Sequence, residues 1–164
     1  MVLYHYTAPV TSHLGSILQD GQIDTSISNV DIHQPGREEL KVVWLSDSTD
    51  PDAQQWGIEK TGAVLVVDLP EESVFHWPSW SRKQGIDPDI YDALAETGGD
   101  PESWWVTTQP IPRQNIIALI IFAMSEKVPA RVFEGEDLRR LFKSTEARQS
   151  LTLPKSKKRA NPFG

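Results

Sequence analysis

The chain contains no cysteine, which removes disulfides, thiolate metal sites and cysteine nucleophiles and permits a reducing cytoplasm. Its body is poor in positive charge: residues 1–125 hold 6 Lys and Arg against 18 Asp and Glu. An acidic body repels polyanions, so broad, nonspecific nucleic-acid binding is not its expected main property. No apolar run approaches the roughly 20 residues of a membrane helix, and Met1 is not followed by the basic region and apolar core of a signal peptide. The expectation is a soluble, cytoplasmic protein with no membrane partner. Also missing are the lysine-containing phosphate loop, G-x-G-x-x-G, H-E-x-x-H and G-x-S-x-G. The four histidines, His5, His13, His33 and His76, have no pair at the spacing of a helical zinc site, and no metal is assigned.

What is present suits one domain over residues 1–153, because 164 residues match a chain that buries about 70% of its unfolded surface in one core. The tail 154–164 carries Lys155-Ser156-Lys157-Lys158-Arg159, has no apolar periodicity, and is expected to be disordered. Residues 2–7 read as a strand, rich in Val and Tyr and stopped by Pro9. A helix is predicted over Ser12 to Asp20, capped by Thr11 or Ser12 and ended by Gly21 as a left-handed residue. Residues 24–40 read as a long polar loop.

Val42 to Ser46 is predicted as a central strand, and Asp47 to Pro51 as the cap of a helix reaching Trp56. Ala63 to Val67 is apolar throughout, as expected of a strand buried on both faces. A helix over about Pro88 to Glu96, strands at Trp104 to Thr108 and Ile116 to Phe122, and a helix over Glu136 to Lys143 complete the α+β pattern. Pro110-Ile111-Pro112 reads as a rigid connector between two of those strands. Trp77, Pro78, Trp80 and Trp104 are candidates to line a cleft among otherwise core tryptophans.

The order of these pieces carries a resemblance. The strand with His5 and Thr7, the Leu14 to Gly21 helix, the Trp44-Leu45-Ser46 strand, and Glu102 just before a strand and Pro110-Ile111-Pro112 together resemble the ADP-ribosyltransferase superfamily over roughly residues 3–122. The nearest likeness is to DNA-modifying toxins of toxin-antitoxin systems and, distantly, to NAD-dependent RNA 2′-phosphotransferases. The resemblance implies a split β-sheet with short flanking helices and NAD as the substrate that supplies ADP-ribose. It implies that His5 binds the ribose beside nicotinamide with Thr7 nearby, that Ser46 orients the ribose or Glu102, and that Trp56 packs on nicotinamide. Glu102 is then the catalytic carboxylate, stabilising oxocarbenium character and accepting a proton from the incoming nucleophile. The acceptor is a macromolecule, protein or nucleic acid, or a small molecule, with NAD hydrolysis as a further outcome.

Each residue also has a structural reading. His5 suits a strand histidine satisfied by a backbone carbonyl, Ser46 a strand exit with a helix cap, and Glu102 a surface acid. Asp100 stands two positions before Glu102, unlike the Q-x-E or E-x-E of arginine-modifying toxins. The alternative function is a catalytically inactive, acidic interaction protein that binds a protein partner. RNA 2′-phosphate transfer requires a basic pocket, and Arg37, Lys41, Lys60, Arg82, Lys83 and Arg113 are dispersed along the body.

Overall fold

The structure, a computed structural model, describes residues 1–8, 11–27, 41–50, 62–96, 99–122 and 129–152. In chain order the strands are β1 (Val2–Thr7), β2 (Gln22–Ile23), β3 (Ser26–Ile27), β4 (Lys41–Ser46), β5 (Ala63–Asp68), β6 (Phe75–His76), β7 (Trp104–Thr107), β8 (Ile111–Pro112), β9 (Ile116–Phe122) and β10 (Pro129–Glu134). The α-helices are α1 (Ser16–Asp20), α2 (Trp77–Lys83), α3 (Pro88–Glu96) and α4 (Gly135–Thr152). The main sheet runs β10-β9-β5-β1-β4-β7-β6 with every neighbour antiparallel, β3 adds to β4, and β2 pairs with β8 in a small second sheet. The protein is therefore a mixed α+β fold. No helix among the described residues is long and apolar enough to cross a membrane.

Helices cover the sheet on both faces, and residue alternation decides which strand positions meet them. On one face Leu3, Leu45, Leu65 and Leu119 meet Leu14, Ile17 and Leu18 from the segment after β1, and Leu138 and Phe142 from α4. On the other, Val42, Trp104 and Val106 pack against Trp77 and Trp80 of α2 and Ile90 and Leu94 of α3. Ala63 to Val67 serves both faces, each residue at most 9% exposed, as its unbroken apolarity predicts. Burying Phe142, 1% exposed, contributes on the order of 2 kcal/mol.

Local chemistry explains several boundaries. Gly21 ends α1 at φ 69°, donating its N–H to the Ile17 carbonyl at 2.9 Å, the left-handed stop expected there. The helical segment begins instead with a π-type turn over Thr11–Gly15. Asp87 accepts the Asp89 N–H at 2.9 Å ahead of Pro88 and so caps α3, which spans the predicted Pro88–Glu96.

Other expectations need correction. Trp77–Lys83 is a helix, not a cleft wall: Trp77, Pro78, Trp80 and Trp104 are buried core. Ile111–Pro112 is not a bare connector but β8, because Ile111 docks in the main core and pairs with Ile23. β10 was not legible, and α4 runs well past Lys143. The proposed helix beyond Asp50, most of the 24–40 loop and the 154–164 tail lie outside the described residues.

Candidate functional site

β1 pairs with β5 at six successive positions, Val2↔Asp68 to Thr7↔Ala63, but with β4 only at Tyr4↔Ser46. At this seam the His5 imidazole reaches β4, and its Nδ1 lies 2.9 Å from the Trp44 carbonyl oxygen. A carbonyl only accepts, so Nδ1 carries the proton. Burial pushes the His5 pKa below its usual value, outweighing the opposite pull of the Trp44 carbonyl. The ring is thus neutral near pH 7 and presents Nε2 as a bare lone pair. The structural reading of His5, a strand histidine on a backbone carbonyl, therefore holds for one nitrogen and leaves the other as an acceptor suited to a hydroxyl donor.

Sheet register extends this position into a row. His5 stands opposite Leu65, Tyr4↔Ser46 sets Leu45 beside His5, Leu45 stands opposite Trp105, and Trp105 opposite His76. Opposed residues share a face, so His5, Leu45, Trp105 and His76 cross β1, β4, β7 and β6 on the same side, a span of roughly 14 Å at the usual strand spacing. Thr7 shares that face two positions along β1 and is buried.

Ser46 does not join them. It is opposite both Tyr4 and Trp104 and so projects from the other face. Fully buried, it accepts the Ser48 N–H at 3.0 Å, and its Oγ lies 3.5 Å from that of Ser103. The strand-exit role read from Leu-Ser-Asp-Ser is therefore present, and Ser46 touches the turn that carries Glu102 rather than His5. The Tyr6 hydroxyl donates to the Ser48 carbonyl at 2.9 Å and fixes the same exit.

Glu102 lies in a single 3₁₀ turn, Pro101–Ser103, directly before β7. Asp100 caps it, accepting the Glu102 N–H at 3.2 Å on its carboxylate and the Ser103 hydroxyl at 2.7 Å on its carbonyl. The Glu102 side chain is 74% exposed, 4.0 Å from His76 Nε2. Tyr91 of α3 senses the same charge: its phenol pKa is raised, first by burial and then by Glu102. The His76 ring stands 5.0 Å from that of Trp105, whose indole N–H donates to Asp47 at 3.1 Å.

His5 and Thr7 thus share one face, Glu102 edges that face through His76, Ser46 lies behind it, and Trp56 lies outside the described residues. No motif in the sequence assigns His76 or Trp105 to the site. The alternation of Trp104 and Trp105 was the available signal, since only one of two adjacent strand residues can share the His5 face. Among the described residues no three His, Asp or Glu side chains cluster as metal ligands. No protein-family model and no curated protein matches the sequence.

Proposed function

We propose that the chain binds NAD across the β1–β4 seam and cleaves its nicotinamide-ribose bond, in the manner of an ADP-ribosyltransferase with a split sheet. The observation that carries this reading is the His5 ring, held through Nδ1 on the Trp44 carbonyl, with Nε2 unpaired among the described residues and able to accept from a ribose hydroxyl. In the reaction the C1′–N bond breaks and its electron pair leaves with nicotinamide. The acceptor nucleophile, protein, nucleic acid, small molecule or water, bonds to C1′, and its proton passes to the Glu102 carboxylate. Bound NAD itself must shield Glu102, since a carboxylate 74% exposed stabilises an oxocarbenium ion weakly while water screens it.

That exposure also favours a second reading, an acidic interaction protein without catalysis. Incubation with NAD separates them. Nicotinamide release that Glu102→Gln lowers by at least a hundredfold supports the first reading, whereas equal turnover in Glu102→Gln removes Glu102 from the mechanism and no turnover favours the second.

A further inference from the structure

Two contacts converge on Glu102 from one side chain. His76 Nε2 lies 2.7 Å from the Glu102 backbone carbonyl and 4.0 Å from the Glu102 carboxylate. The carbonyl is an obligate acceptor, so Nε2 carries the proton and donates to it. The Glu102 N–H is already held by the Asp100 carboxylate. Both backbone polar groups of Glu102 are therefore tied down by side chains, in a turn too short to fix them through its own ladder.

We infer that His76 is a positioning residue for Glu102, resting on the reading of Glu102 as the catalytic carboxylate. The imidazole clamps the turn from β6, while the Glu102 backbone is capped from within its own loop by Asp100. The ring is itself oriented: it lies tilted against Trp105, at 5.0 Å and 47°, and Trp105 is anchored through its N–H to Asp47. The chain of contacts runs from Asp47 through Trp105 and His76 to Glu102, and it joins the end of β4 to β7 and β6. The Asp47 N–H also donates to the Ser103 carbonyl at 3.0 Å, so the turn is gripped at two adjacent carbonyls. Such a device sets where the Glu102 side chain departs from the backbone, and displacements of about 1 Å at a reacting group cost on the order of a hundredfold in rate.

The test compares His76→Ala with His76→Gln, whose amide N–H can reach the carbonyl that Nε2 reaches. Amide hydrogen exchange at Glu102 and Ser103 is expected to rise at least tenfold in His76→Ala and to return toward wild type in His76→Gln. With NAD as substrate, His76→Ala should lower kcat ten- to a hundredfold with KM for NAD within about twofold, and His76→Gln should recover most of it. Unchanged exchange in His76→Ala overturns the inference whatever the turnover. A loss in KM alone, or a loss that His76→Gln does not restore, also overturns it. Raised exchange in His76→Ala, together with turnover that Glu102→Gln leaves intact, overturns instead the reading of Glu102 on which the inference rests.

Discussion

Acidification should destabilise the fold through His5, and a non-titrating replacement should remove that effect. Burial lowers the folded-state pKa of His5, while in the unfolded chain it titrates near its ordinary value of about 6.5. Between those two values the unfolded chain takes up a proton that the folded chain refuses, so stability falls as pH falls. The contribution of neutral His5 is complete above about pH 7.5. It declines below about pH 6.5 with a slope approaching 1.4 kcal/mol per pH unit until the folded-state pKa is reached. His5→Asn keeps an N–H that can donate to the Trp44 carbonyl and does not titrate. Urea unfolding of both proteins across pH 8 to 4.5 gives a difference curve in which the carboxylates they share cancel. Wild type minus variant should be flat at high pH and should drop by roughly 1 kcal/mol per pH unit below about pH 6. Parallel curves, or a wild type that gains on acidification, would refute a buried neutral imidazole.

Three further outcomes follow from the packing. Ser46→Ala strands the Ser48 N–H that Oγ accepts at 3.0 Å and should cost about 1–3 kcal/mol by chemical denaturation. The indole N–H groups of Trp77 and Trp104 are buried without a hydrogen-bond partner among the described residues, so Trp77→Phe and Trp104→Phe each relieve about 1–3 kcal/mol of desolvation. Each should therefore lose less than about 2 kcal/mol net, and a loss nearer 4 would reveal a partner. Gly135 opens α4 at φ +54° with open space for an added Cβ among the described residues, so Gly135→Ala should cost about 1 kcal/mol from backbone strain alone, and Gly135→Asn less.

The elements legible from sequence were those whose local chemistry and tertiary role agree. Residues 63–67 of β5 are apolar because they are buried on both faces, β9 is an unbroken apolar run although Ile117 is 43% exposed, and α3 keeps the Pro88–Glu96 span read from the sequence. α2 was hidden because Trp77-Pro78-Ser79-Trp80 has weak helix propensity and becomes helical through the burial of its two indoles. β10 was hidden by its exposure, with five of its six residues facing water. For the site, alternation along β1 put His5 and Thr7 on one face, as found. The face of Ser46 could not be read, because it depends on the Tyr4↔Ser46 register between strands some forty residues apart. His76 was invisible as a partner of Glu102 for the same reason, since a two-residue strand carries no periodicity of its own.

The most direct test of an NAD site at the β1–β4 seam is the imidazole nitrogen spectrum of His5 during titration with NAD. The free protein should show a neutral ring protonated at Nδ1. NAD should shift Nε2 as it accepts from a ribose hydroxyl, with Nδ1 unmoved on the Trp44 carbonyl. An Nε2 resonance that stays in place at millimolar NAD would contradict the account.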